Sequence, residues 1–131
     1  MAKPTYQDAD IMLKMARLGV DIDIGKLTGW LYSDQFIPDY AEFTKKHATD
    51  SEEFNKVRSI LMWYETLGTL YKQGLFNGEL LFDWVTVTPF WERLKSFALG
   101  QREQSGNPRL YENFEALAKA EKKASAKTKK K

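Results

Sequence analysis

The sequence predicts an all-α fold: a compact, irregular bundle of six or seven helices around one long central helix, followed by a disordered basic C-terminal tail. Three observations carry this. Apolar side chains recur every three to four positions through most of the chain, the spacing that places them on one face of a helix. Ser, Thr, Asp and Asn stand ahead of several of these runs and Gly behind them, which is helix start and stop chemistry. Finally, 131 residues with 43% hydrophobic and 14% aromatic content hold enough apolar material for one core and too little chain for two of ordinary size.

The elements follow in order. Thr5 caps a helix over 6–18, with Asp8 three positions on and Ile11, Met12, Met15 and Leu18 along one face; Gly19 is its stop. Val20 to Ile24 alternates as a strand does, but it is short and has no pairing partner, so it reads as a connector into a helix over 24–32 bearing Leu27, Trp30 and Leu31. Pro38 suits the first turn of a third helix, where its missing N–H is no loss; Tyr40, Phe43 and His47 continue it to about Ala48.

Thr49, Asp50 and Ser51 offer capping side chains for the longest helix, over 51–73, whose stripe runs from Phe54 through Val57, Ile60, Leu61, Tyr64, Leu67 and Leu70 to Tyr71. Gly68 in its middle costs about 1 kcal/mol relative to Ala. Either another helix crosses close to the backbone there or the glycine is merely tolerated. Asn77 caps a short helix over 79–84, and the β-branched run from Val85 to Thr88 is an irregular link. Thr88-Pro89 then opens a helix ending near Arg102, and Asn107-Pro108 repeats that signal for a last helix with Leu110, Tyr111, Phe114 and Leu117.

Residues 1–118 therefore read as one helical domain and 119–131 as a disordered lysine-rich tail, lacking apolar residues larger than alanine to offset the entropy of ordering. Charge divides along the same line. The tail has seven Lys and the single Glu121, a net +6, whereas the body carries −4. Lys122, Lys123, Lys127, Lys129, Lys130 and Lys131 are the candidate tail contacts, either as a solvated solubility tail or as a non-specific grip on nucleic acid or a membrane surface.

Several chemistries find no support. Without cysteine there are no disulfides, thiolate ligands or thiol nucleophiles. His47 is the sole histidine, and no Glu-x-x-His or His-x-x-x-His pair exists to build a metal site on a helix. Neither Gly-rich phosphate loop occurs. The first twenty residues lack a signal peptide's apolar core, and no stretch approaches the roughly 20 apolar residues of a membrane span. The expectation is a cytoplasmic protein without cofactor, metal or catalytic constellation.

Two features stand out as candidate binding groups. Glu65 lies in a strongly apolar part of the long helix, as an internal ion pair or hydrogen-bond hub with Arg58, Arg93, Arg102 or Arg109 as partner, or as a ligand-binding or catalytic carboxylate. Trp63, Tyr64, Trp84, Phe90 and Trp91 form an aromatic group that reads first as core; Trp63, off the centre of the stripe, is the one placed to extend apolar surface toward a partner.

The run Trp63-Tyr64-Glu65-Thr66-Leu67-Gly68, then Gly74-Leu75, Trp91, Arg102, Pro108-Arg109-Leu110-Tyr111 and Phe114-Glu115-Ala116-Leu117, resembles an uncharacterised bacterial family of small all-helical domains of unknown function. The resemblance covers 54–117. It implies a compact helical domain and no assigned activity. Some relatives follow a membrane-spanning segment that this chain lacks. Its shared polar and aromatic positions fall on Glu65, Trp91, Arg102, Tyr111 and Glu115. The expectation drawn from all of this is a non-enzymatic binding or adaptor module, with another protein as partner and Trp63, Glu65, Trp91, Arg102 and Tyr111 as binding residues. The alternatives are a nucleic-acid-associated protein using its tail and an enzyme or ligand-binding domain using Glu65 with an arginine; self-association is compatible with each.

Overall fold

The structure, a computed structural model, describes residues 2–129, with side chains as far as 127. Among the described residues the chain forms seven helices and no strand: α1 (Tyr6–Asp21), α2 (Ile24–Leu31), α3 (Tyr40–Lys46), α4 (Glu52–Lys72), α5 (Gly78–Trp84), α6 (Thr88–Ser105) and α7 (Glu112–Lys129). The helix α4 lies at the centre, with α7 along one side of it and α2 against another. Its stripe is buried as expected: Phe54, Val57, Ile60, Leu61, Tyr64 and Leu67 are sealed from solvent. Aromatic rings fill much of the interior, with Phe43, Phe54 and Phe97 meeting edge to face and Tyr64 stacked on Phe114 at 4.8 Å.

Local chemistry sets most helix starts. Ser51 accepts from the Phe54 N–H and Asn77 from the Leu80 N–H, each closing the first turn of its helix. Asp39, rather than Pro38, begins α3: its carboxylate accepts from the Glu42 N–H at 3.0 Å, which leaves the proline outside the helix. The alternating segment after Gly19 is not extended. Helix α1 runs through it to Asp21, and Asp23 takes the left-handed conformation (φ 61°) that turns the chain into α2. Gly19 is therefore not a stop; it sits inside α1, where a Cβ would stand 3.0 Å from Ile24 Cγ2, so glycine lets the start of α2 pack close against α1.

At the other end, α6 continues past Arg102 to Ser105 and stops at Gly106 in the left-handed region. Asn107 is not a helix cap. Its side chain accepts from the Arg109 N–H and closes a turn, and α7 begins only at Glu112. The C-terminus departs furthest from the sequence-based expectation. The segment expected to be disordered from Lys119 continues α7 as a helix through Lys129; 130 and 131 lie outside the described residues. Two forces oppose the entropy of ordering here. Alanine at 118, 120, 124 and 126 has the highest helix propensity of any residue, and Glu121 is held by three donors of the α5–α6 link, described below.

The N-terminus is fastened in a similar way. The Asp8 carboxylate accepts from the Thr5 N–H at 2.8 Å within its own capping box, and also from the Asn77 N–H at 2.8 Å, joining the start of α1 to the start of α5. The Thr5 N–H chiefly, and then the Asn77 N–H, hold the Asp8 carboxyl below its ordinary 3.8. Because the folded-state value is lowered, this contact's stabilisation is present above 3.8 and is lost as pH falls through the lowered value. Asp8→Ala is thus expected to reduce the urea midpoint at neutral pH, with the gap to the wild type closing on acidification. A gap that persists in acid would contradict it.

Candidate functional site

Glu65, Gly68 and Thr69 fall on one face of α4, at the i, i+3, i+4 spacing that makes neighbours on a helix surface. That face receives the start of α7. A Cβ built on Gly68 would stand 2.3 Å from the Asn113 carbonyl oxygen and 2.6 Å from its carbon, so glycine is what allows the two backbones to approach. The close crossing brings the free N–H groups of α7 to Glu65. Its Oε1 accepts from the Asn113 and Phe114 N–H groups at 3.0 and 2.9 Å, and its Oε2 from Asn113 Nδ2 at 2.9 Å. Asn113 Nδ2 also donates to Thr69 Oγ1 at 3.1 Å. A carboxylate from one helix therefore caps another, where the helix dipole and unpaired donors favour negative charge.

None of the four arginines is the partner of Glu65 among the described residues. Arg58 donates to the Thr49 carbonyl, Arg93 to those of Leu31 and Ser33, and Arg109 pairs with Glu112. Arg102 serves the same elbow from the far side: its Nε donates to the Leu110 carbonyl at 2.7 Å, and its Nη2 stands 3.0 Å from Glu115 Oε1, out of line for a hydrogen bond. Tyr111 closes the elbow in the left-handed conformation (φ 60°), its ring buried and its hydroxyl pushed above the ordinary tyrosine range by desolvation. Trp91 meets Phe114 edge to face at 5.1 Å beneath it.

The structure thus brings Glu65, Trp91, Arg102 and Tyr111 together with Glu115, in a clamp that fixes where α7 begins. Trp63 stands apart. It is 6% exposed, its Nε1 donates to the Met15 carbonyl at 3.3 Å, and its ring is wedged between α1 and α4. Its neighbour Met62 is the exposed one, and both line a shallow groove of about 390 Å³ between those helices.

A second cross-helix cap was not legible in the sequence. Glu121, near the middle of α7, accepts through Oε1 from the Thr88 N–H at 2.7 Å and the Thr88 hydroxyl at 2.6 Å, and through Oε2 from the Val87 N–H at 3.0 Å. The start of α6 is therefore capped by a residue 33 positions away, and the Thr88 side chain donates instead of capping. The one signal available was an isolated acid in an otherwise lysine-rich stretch.

Held at both points, α7 forms a wall of an open groove of about 450 Å³ with α4 and α5. The floor is apolar: Tyr71 and Phe82, whose ring centres lie 5.6 Å apart, with Ala116 and Ala120 of α7. Lys119, Lys123 and Lys127 form its rim. Among the described residues none of these three forms an ion pair, whereas Lys122, on another side of α7, reaches Glu92 at 3.4 Å. Of the expected tail contacts, Lys123 and Lys127 thus line the groove, Lys129 belongs to the helix, and Lys130 and Lys131 lie outside the described residues. No group of three acidic or histidine side chains suited to a metal ion occurs among the described residues, and no helix there is long and apolar enough to cross a membrane.

Residues 27–121 match a family model described as Domain of unknown function (DUF4760). The match begins within α2 and ends at Glu121, so it contains both the elbow clamp and the carboxylate that caps α6. No curated protein and no solved structure matches the chain.

Proposed function

Since the chain belongs to the DUF4760 family, domains of unknown function, we propose from its geometry that it is a non-enzymatic binding module taking up a partner protein on the α4–α5–α7 groove. The observation that carries this reading is an apolar floor left open beside three lysines that form no ion pair among the described residues. Concave apolar surfaces with a few polar groups at the edge are the common form of binding sites. The polar clamp, by contrast, is committed to the fold. Both Glu65 oxygens are occupied by donors of α7, and Arg102 is engaged by a carbonyl and Glu115. An enzyme built on Glu65 with an arginine therefore finds no support.

The test is a titration of isotope-labelled protein with the anionic apolar dye anilinonaphthalene sulfonate, followed by amide chemical shifts. Shifts should concentrate on 116–127 and around Phe82, and Ala120→Glu, which puts a carboxylate on the floor, should remove most of them. No shifts at these positions, or shifts indifferent to Ala120→Glu, would overturn the reading.

A further inference from the structure

On the reading that the α4–α5–α7 groove is the binding face, we infer that its occupant is an acidic amphipathic helix of a partner protein. Lys119, Lys123 and Lys127 follow one another every four positions, so their charges run along a single edge of α7 for about 12 Å, roughly two helical turns. Ala116 and Ala120 share that spacing. Small side chains beside a row of long ones let a second helix axis come near the lower end of the usual 8–10 Å separation, with its apolar anchors reaching Tyr71 and Phe82. Carboxylates on the incoming helix, one per turn, would meet the three ammonium groups. This is the helix-in-groove mode of recognition, with charge setting orientation.

The lysine row itself points to an anionic occupant. Like charges at i, i+4 repel along a helix, and although the body of the chain carries a net −4, none of its carboxylates pairs with these three lysines among the described residues. Two other anionic partners fit less of the surface. A nucleic-acid backbone would satisfy the lysines and leave Tyr71 and Phe82 uncovered. A bilayer is flat, and membrane-binding side chains protrude into it, whereas these two rings are half-buried within the recess.

The experiment uses the full chain and a synthetic helical peptide of about 18 residues, with leucines at i, i+3, i+4 and i+7 flanked by glutamates. Its twin carries lysine at every glutamate position. The glutamate peptide should bind about tenfold or more tightly than its twin, with affinity falling as salt rises. In the Lys119→Glu/Lys123→Glu/Lys127→Glu variant the preference should invert, a gain of binding that an unfolded protein could not give. Equal affinity for both peptides would overturn the inference. So would tighter binding of phosphatidylserine vesicles or duplex DNA that is lost in the same variant. If the dye shifts the groove amides while the glutamate peptide fails to bind, the partner class is wrong and the groove reading stands; if both fail, both readings fall.

Discussion

Gly68→Ala is expected to lower the unfolding free energy by about 2 kcal/mol or more, although alanine is the better helix former. Two effects oppose each other. Alanine in the middle of α4 would gain about 1 kcal/mol of helix propensity. Its Cβ would also lie 2.3 Å from the Asn113 carbonyl oxygen. The obstacle is backbone held by Glu65, which has no rotamer to adopt, so the overpacking cost belongs at the upper end of the usual range, about 3 kcal/mol or more. The clash wins. A fall in the thermal midpoint of roughly 8 °C corresponds to that net loss for a domain of this size. An unchanged or raised midpoint would mean that α7 does not cross α4 at this point.

Glu65→Ala is expected to cost about 2–4 kcal/mol by chemical denaturation, because two backbone N–H groups and the Asn113 amide lose a charged acceptor at once. Glu65→Gln should cost less, about 1 kcal/mol, since a neutral oxygen still accepts but answers the helix dipole weakly. Both substitutions act on the docking of α7, so Glu65→Ala and Gly68→Ala together should cost less than the sum of their separate effects. A Glu65→Ala protein as stable as the wild type would show that the carboxylate is not the cap of α7.

Much of the fold is legible because it depends on neighbours in the chain. The α4 stripe, Ser51 and Asn77 as caps, and the β-branched link after Trp84 need only local spacing and side-chain chemistry. Gly68 is legible as a crossing point for a related reason: a glycine in a strong helix asks for a compensating contact. What escapes is the end of a helix satisfied from elsewhere. Thr88-Pro89 and Asn107-Pro108 look alike in sequence, yet Glu121 caps the first and Glu65 serves the helix that follows the second. Their carboxylates come from 33 and 48 residues away, beyond any local pattern.

The same cause misplaces the tail. Judged by composition, 119–131 has nothing to bury. Judged by contacts, Glu121 fixes one turn of it to the α5–α6 link, and alanine-rich sequence carries the helix onward. The candidate site changes accordingly. Trp63, expected to extend apolar surface, is almost wholly buried and donates to the Met15 carbonyl, and Glu65, expected to meet an arginine, meets the α7 backbone and the Asn113 amide. The lysines counted as a loose tail instead edge a groove, because helical spacing places Lys119, Lys123 and Lys127 on one side.

Amide hydrogen exchange at Asn113 and Phe114 tests the cross-helix cap most directly. These are second- and third-position amides of α7, which have no acceptor within their own helix and ordinarily exchange fast. Bonded to Glu65, they should exchange slowly in the wild type and lose that protection in Glu65→Ala while the amides of α4 stay protected. Fast exchange at both positions in the wild-type protein would contradict the cap, and with it the placement of α7 as a wall of the groove.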